Sequence, residues 1–146
     1  MLFSFALKDN KVFNRCFRSG GFCAAPFLTA YYLPNDLGQN RVGISVSKKI
    51  GNAVCRNRAK RIIRAAYRLN EDKFPIGFDL VFAVRPGING LKTQEIEEFF
   101  THRLLRHISG SFDENGVFVG RNRKRRSPET KRENAEDNNV SDKKDG

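Results

Sequence analysis

Apolar and small residues alternate one by one between residues 41 and 47. The apolar positions are Val42, Ile44 and Val46. The alternate positions are Gly43, Ser45 and Ser47. Because successive side chains of a strand point to opposite faces of a sheet, this pattern predicts a strand with one buried face.

Three other segments have the composition of strands. Residues 27–33 (FLTAYYL) and 78–84 (FDLVFAV) are rich in aromatic and branched side chains and are followed by proline-containing turns. Residues 22–24 are consistent with a short edge strand before the first of them. On a regular 27–33 strand Tyr31 lies on the face of Thr29, whereas a register shift of one residue would place Tyr32 there instead.

Helical patterns flank these strands. Residues 9–18 place Phe13 and Phe17 four positions apart, which is one helical face, and the Ser-Gly-Gly sequence that follows predicts the end of this helix. A last helix is expected from Thr93, as its cap, to about residue 109. It has acidic residues in its first turns and basic residues near its end, as the helix dipole favours.

A third helix, from Asn52 as its N-cap to about Leu69, has two chemically opposite faces. At about 100° per residue, its polar groups fall within an arc of about 140°. These are Arg56, Asn57, Lys60, Arg61, Arg64 and Arg68. Its apolar residues fall within an opposed arc of about 120°. These are Cys55, Ala59, Ile62, Ile63, Ala66 and Leu69. We therefore expect one face to pack in the core and the other to carry cations.

The predicted order is helix, two or three strands, helix, strand, helix. This order predicts an α+β fold around a mixed sheet, with a split β-α-β unit made of the 41–47 strand, the basic helix and the 78–84 strand. A two-layer arrangement like that of ribosomal proteins is expected. One domain is expected over residues 1–120. Residues 121–146 contain almost no core-forming side chains, so a disordered charged tail is expected there.

Charge then narrows the class of partner. Residues 41–68 contain nine of the 27 Lys and Arg residues and no acidic residue, and the chain carries a net charge of +11. Like charges in one folded segment repel unless a polyanion relieves them, so this block indicates nucleic acid. An anionic membrane surface is the alternative polyanion. The apolar helix face, with two alanines and a cysteine, fits core packing better than lipid insertion.

Several other classes are disfavoured by the sequence. The three cysteines form no C-x-x-C pair and only two histidines are present, so we expect free thiols in a reducing cytoplasm and no zinc site. The first ten residues lack the features of a signal peptide, and no apolar run has the length of a membrane-spanning helix. A stand-alone nuclease would need a carboxylate cluster or a histidine pair, and residues 41–68 supply neither.

The run VSKKIGNAVCRNRAKRIIR, residues 46–64, resembles the protein component of bacterial ribonuclease P. The resemblance rests on the Arg-Asn-Arg core at 56–58, on the cations that flank it, and on Gly51 and Asn52. The spacing of Phe13, Phe17 and Gly20 is similar to the first helix of that family. The 27–33 strand and the FDLVFAVRP segment also follow its layout, so the likeness extends over about residues 5–110.

The resemblance implies the protein subunit of a ribonucleoprotein endoribonuclease. In that family a catalytic RNA subunit uses Mg²⁺ to remove the 5′ leader of precursor tRNA, while the protein binds both RNAs. Membranes and small-molecule substrates are not expected partners, and neither catalytic groups nor metal ligands are expected on the protein. The implied RNA-binding helix residues are Arg56, Asn57, Arg58, Lys60, Arg61, Arg64 and Arg68. The implied leader-binding cleft consists of Phe13, Phe17, Tyr31, Ser45, Ser47, Lys48 and Lys49, with Arg56 and Asn57 at its rim.

Each of these assignments has a structural alternative. Phe13 and Phe17 would by default be core phenylalanines, and Lys48 and Lys49 would be ordinary loop charges. Arg58 falls at the edge of the polar arc and would then brace the fold instead of touching RNA. A ribosomal or ribosome-assembly protein on a similar basic α+β scaffold is the alternative function. It would explain the charge but not the Arg-Asn-Arg run.

Overall fold

The computed structural model describes residues 4–120. Five strands are present: β1 (Ser4–Ala6), β2 (Gly21–Ala25), β3 (Leu28–Pro34), β4 (Asn40–Ser45) and β5 (Phe78–Val84). The helices are α1 (Asn10–Ser19), α2 (Ala53–Asn70), α3 (Thr93–Phe99) and α4 (Leu105–Ser109). Short 3₁₀ turns lie at Lys48–Ile50, Glu71–Lys73 and Pro86–Ile88, and a π-helical turn, Phe100–Leu104, joins α3 to α4. The tail expected at residues 121–146 lies outside the described residues.

The strands form one mixed sheet in the order β1-β4-β5-β3-β2. Strand β4 pairs in parallel with β1 and β5, whereas β3 pairs antiparallel with β5 and β2. The expected α+β fold with a mixed sheet is therefore confirmed, as is the β-α-β unit. Its two strands, β4 and β5, pair directly without a strand between them, so the expectation of a split unit was wrong. Strand β1 was not predicted.

The sheet has helices on both faces, whereas the expected two-layer arrangement would have them on one. One hydrophobic cluster lies between the sheet and the helices α2, α3 and α4 and includes Tyr32, Ile63, Phe82 and Phe100. A smaller cluster lies on the opposite face, beneath α1. It consists of Leu7, Val12, Cys16, Phe17, Tyr31 and Val81. The basic helix and the first helix are thus on opposite sides of one sheet.

Helix α1 begins and ends as its sequence predicts, within one residue. The Asp9 carboxylate accepts a hydrogen bond from the Lys11 N–H at 2.9 Å, which caps the helix. At the other end Gly20 donates its N–H to the carbonyl of Cys16 at 2.9 Å. A Cβ at Gly20 would lie 2.6 Å from that carbonyl oxygen and 2.9 Å from the Tyr32 carbonyl oxygen, so only glycine fits between α1 and β3.

Helix α2 follows the prediction except for the direction of its apolar face. Asn52 caps it, accepting the Cys55 N–H at 3.0 Å. Leu69 was expected in the core but is 63% exposed, whereas Tyr67 is 0% exposed. Tyr67 packs on Phe74 and Phe82, and its hydroxyl contacts Ser4 Oγ of the unpredicted strand β1 at 2.8 Å. The buried face of α2 therefore includes Tyr67 and excludes Leu69.

Helix α3 begins one residue earlier than a cap at Thr93 would give. Thr93 was expected to be the N-cap, but it is the first helical residue and Lys92 occupies the cap position. The Glu95 carboxylate accepts the Lys92 N–H at 2.8 Å. The start of α3 is therefore stabilised by a glutamate of its first turn, which pairs with the backbone N–H of the cap residue, and not by a threonine side chain at the cap.

Asn40 and Asp79 fix the ends of the two parallel strands. Asn40 is the first residue of β4 and is 2% exposed. Its side-chain oxygen accepts the N–H groups of Gly77 at 2.7 Å and Phe78 at 2.8 Å. Arg41 donates two hydrogen bonds to the buried Asp79 carboxylate, at 2.7 and 2.8 Å. The carboxylate in turn raises the pKa of Arg41, and the bidentate pair holds β4 in register with β5.

Candidate nucleic-acid interface

The outward face of α2 carries most of the predicted RNA-binding groups. Asn57, Arg61, Arg64 and Arg68 are exposed. Arg56, Arg58 and Lys60 are half-buried. Among residues 4–120 no carboxylate forms an ion pair with these exposed arginines. We call the seven residues the basic helix face. Its cations are held in one orientation by the packed opposite face of α2, and they are available to an external anion.

Two members of this face also hold the protein together. The Arg56 guanidinium donates to the carbonyl of Gly51 at 2.8 Å, which ties the first turn of α2 to the preceding turn. The Arg58 guanidinium donates to the carbonyl of Leu91 at 2.5 Å, in the segment before α3. The sequence-based suspicion that Arg58 braces the fold agrees with this contact. Each guanidinium retains further N–H donors for a phosphate.

Lys48 and Lys49 occupy a 3₁₀ turn between β4 and α2. Both side chains are exposed. Ser47 caps this turn, because its hydroxyl oxygen accepts the Lys49 N–H at 3.3 Å, and Ser47 itself is 9% exposed. β4 ends at Ser45, so Ser47 belongs to the cap and not to the strand. The two lysines therefore lie at the end of the sheet, between its two faces.

The aromatic residues predicted for the cleft lie together on the α1 face of the sheet. Phe13 is half-buried, and its ring covers Gly43, where an added Cβ would come within 2.4 Å of the ring. Phe17 is 3% exposed, and its ring meets that of Tyr31 edge-on with 5.0 Å between centroids. Tyr31 is 4% exposed. Phe13 thus offers a ring to an external base, while Phe17 and Tyr31 support it from beneath.

The register of β3 agrees with the prediction for Tyr31. Tyr31 belongs to the cluster under α1, and Tyr32 belongs to the cluster on the other face. The Tyr32 hydroxyl lies 2.5 Å from Ser111 Oγ and donates to the carbonyl of His107 at 3.2 Å. Burial raises the pKa of Tyr32, in keeping with a structural hydroxyl. Tyr32 is therefore not the residue that faces α1.

A row of small side chains runs beside the aromatic residues. Ala24 pairs with Thr29, Thr29 with Ala83, and Ala83 with Ser45, so one residue from each of four strands lies in line. We call these four residues the cleft floor. Ser45 and Ala83 are half-buried and Ala24 is exposed. Three strand spacings of about 4.8 Å make the floor about 14 Å long. It runs from β4, beside Lys48 and Lys49, to the outer edge of β2.

Sequence analysis did not identify some residues of this surface. Phe22 on β2 is half-buried and its ring lies 6.0 Å from that of Tyr31, so it adds an aromatic group at the far side of the floor. Outside this surface, Lys11, Arg15 and Arg18 are exposed on the side of α1 opposite its buried residues Val12, Cys16 and Phe17. Their spacing of four and three residues would have indicated one helical face. Phe22 had no such signal, because its place beside Tyr31 depends on the pairing of β2 with β3.

The described residues offer no conventional metal site. No group of three or more His, Cys, Asp or Glu side chains converges within residues 4–120. The thiol of Cys16 is buried beneath α1, and its burial, with a smaller effect of the Asp79 carboxylate, raises its pKa to about 12. A thiol in that state is protonated near neutral pH and does not serve as a ligand. Across the same residues, no helix is long and apolar enough to cross a membrane.

Several curated proteins with similar sequences are members of one family. The family model described as Ribonuclease P matches residues 4–109. The ribonuclease P protein component of Pelotomaculum thermopropionicum is 46% identical over 100 residues, which cover 68% of this chain and 89% of that protein. The corresponding protein of Lachnoclostridium phytofermentans is 40% identical over 108 residues, covering 73% and 93%.

Solved structures give the same result for the fold. The Staphylococcus aureus RNase P protein superposes with a TM-score of 0.61 at 32% identity, over 68% of this chain and 91% of that one. The RNase P protein from Thermotoga maritima superposes with a TM-score of 0.63 at 27% identity, over 69% and 96%. Neither comparison favours the ribosomal alternative.

Proposed function

Since this chain belongs to the family of bacterial ribonuclease P protein components, we propose that it positions two RNA molecules through the two surfaces described above. It is the protein subunit of a ribonucleoprotein endoribonuclease, which implies an RNA subunit as partner. We assign the basic helix face to that RNA subunit and the cleft to the 5′ leader of precursor tRNA. The juxtaposition of an aromatic cleft with an acid-free basic helix carries the assignment.

The basic helix face fits a duplex or folded RNA. Its exposed arginines point outward from one rigid helix and have no ion-pair partner within residues 4–120. Guanidinium groups bind phosphate oxygens through paired N–H donors, and such contacts carry little sequence information. This supports a role in holding the RNA subunit by its backbone.

The cleft fits a single strand better than a duplex. The floor is about 14 Å long and lies beside the rings of Phe13 and Phe22. Unpaired bases stack on aromatic side chains while cations follow the phosphates, without much dependence on sequence. Lys48 and Lys49 lie at the β4 end of this floor, where the strand would approach the RNA subunit. A precursor-tRNA leader has these properties.

The chemistry of hydrolysis belongs to the RNA subunit in this proposal. The two surfaces are rich in Arg and Lys, and among residues 4–120 no three His, Cys, Asp or Glu side chains converge. The residues present do not fit a protein-bound Mg²⁺ site. The protein therefore contributes by binding and by neutralising phosphate charge, while Mg²⁺ would be held by RNA oxygens. This assignment is consistent with a cytoplasmic enzyme.

Reconstitution tests this proposal directly. The purified protein, the RNA subunit and both together are incubated with precursor tRNA at low Mg²⁺. We expect cleavage to require the RNA subunit and to be raised by the protein. A protein ending at Gly120 should act like the whole chain, because the sequence of residues 121–146 contains almost no core-forming side chains. Leader removal by the protein without RNA would overturn the proposal.

A further inference from the structure

The far end of the cleft floor is marked by an arginine that the two proposed surfaces do not include. Arg103 lies in the π-helical turn between α3 and α4, on the other face of the sheet. Its guanidinium reaches across the outer edge of β2 and donates to the carbonyl of Ala24 at 2.9 Å. Ala24 is the last residue of the cleft floor. A fixed positive charge therefore lies where a strand running along the floor would leave the protein.

The position of Arg103 is held by two contacts. Besides the bond to Ala24, its guanidinium carbon lies 5.5 Å from the centre of the Phe99 ring. The bond to Ala24 uses one of the five N–H donors of a guanidinium. The side chain remains exposed, and no carboxylate within residues 4–120 is paired with it. The group is thus oriented by the fold and still has donors for a phosphate.

The sheet order leaves this edge open. β2 is the outermost strand on its side, so no further strand borders Ala24. Phe22, on the same strand and the same face as Ala24, places an aromatic ring next to the opening. An aromatic ring beside a cation is the combination that binds single strands. The exit of the floor therefore has the same chemistry as its entrance at Phe13 and Lys49.

We propose that Arg103 binds a leader phosphate at the β2 edge of the cleft, and so determines how affinity depends on leader length. This inference rests on the proposed assignment of the cleft to the leader. A short leader occupies only the part of the floor beside Phe13 and the lysines. A leader that crosses the whole floor, about 14 Å, reaches Arg103 and gains one further contact.

The experiment uses the reconstituted enzyme and precursor tRNAs whose leaders are lengthened one nucleotide at a time. Arg103→Met keeps an unbranched side chain against Phe99 and removes the charge. We expect unchanged affinity for short leaders and a loss of up to about fivefold for long ones, as for one exposed ionic contact. For long leaders alone, the slope of log affinity against log salt should fall by about 0.7. Arg103→Lys should restore most of the affinity.

Controls separate this role from a structural one. Lys73→Met removes an exposed cation from the turn after α2, where its ammonium donates to Asn70 Oδ1 at 3.1 Å, and should not change the affinity for any leader length. Melting temperatures are measured for all variants. Equal losses for all leader lengths, or no loss for any, would overturn the inference while leaving the proposed function intact. If the unaltered enzyme itself shows no dependence on leader length, the cleft assignment fails and the inference fails with it.

Discussion

Replacing Phe17 with alanine should destabilise the fold more than it weakens RNA binding. The Phe17 ring is 3% exposed and packs edge-on against Tyr31 at 5.0 Å. Truncating a buried phenylalanine to alanine lowers the free energy of unfolding by about 3–5 kcal/mol. For a folded unit of this size, such a loss corresponds to a fall in melting temperature of about 10 °C or more.

Replacing Phe13 with alanine should weaken RNA binding more than it destabilises the fold. Phe13 is half-buried, and one side of its ring rests on Gly43, so less packing is lost than at Phe17. Stacking of one base on an aromatic side chain contributes about 1–3 kcal/mol. Affinity for leader-bearing precursor tRNA should therefore fall by about 5- to 150-fold. Mature tRNA has no leader to stack, so its affinity should change little.

The assay measures thermal unfolding of the protein and binding of both tRNAs to the reconstituted enzyme. Phe112→Ala is the matched control, because Phe112 is 36% exposed and contacts Phe78 and Phe118, away from the cleft. The reasoning is refuted if Phe17→Ala keeps its melting temperature and loses only leader binding. It is equally refuted if Phe13→Ala weakens binding of both tRNAs to the same extent.

Three further outcomes follow from single contacts. Asn40→Ala leaves buried N–H groups unpaired and should cost at least about 2 kcal/mol in denaturant unfolding, whereas exposed Asn57→Ala should cost little. Arg61→Ala and Arg64→Ala should each reduce the salt slope of RNA-subunit binding by about 0.7 to 0.9, and an unchanged slope would contradict the assignment. The pKa of the Cys16 thiol is raised from 9.0 to about 12, so the contribution of this thiol to the free energy of unfolding is intact below pH 9 and is lost as pH rises towards 12. The stability of Cys16→Ala should therefore decline less steeply over this alkaline range.

Local sequence patterns were sufficient to predict those helices and strands whose formation depends on neighbouring residues. The alternation at residues 41–47 identified β4, and the 3.6-residue period identified α2, because burial on one face imposes both periods. Period alone also placed Phe13 and Phe17 on one face of their helix, and Tyr31 on the strand face of Thr29. The cleft itself came from the family resemblance, since core phenylalanines have the same spacing.

Long-range pairing was not accessible to the same reasoning. Strand β1 has three residues and no turn signal of its own, and it exists because it pairs with β4. Tyr67, whose hydroxyl contacts Ser4 of β1, is buried against Phe74 and Phe82, whereas Leu69 lies in solvent. Asn40 reads as a loop residue until its partners at residues 77 and 78 are known. Arg103 reaches Ala24 across 79 positions of sequence.

The two proposed RNA surfaces are joined by a short and rigid segment, and this limits how they can move relative to each other. Only residues 46–52 separate the floor strand β4 from α2. Asn89 donates to the carbonyl of Ile50 at 3.0 Å, and Arg56 holds that of Gly51. Gly51 has φ of +144°, and a Cβ there would lie 3.1 Å from the Cys55 Cβ, so other residues would strain the joint. If the proposed assignments hold, this joint keeps a leader in the cleft at a fixed position relative to an RNA bound on α2, as precise cleavage at the leader junction requires.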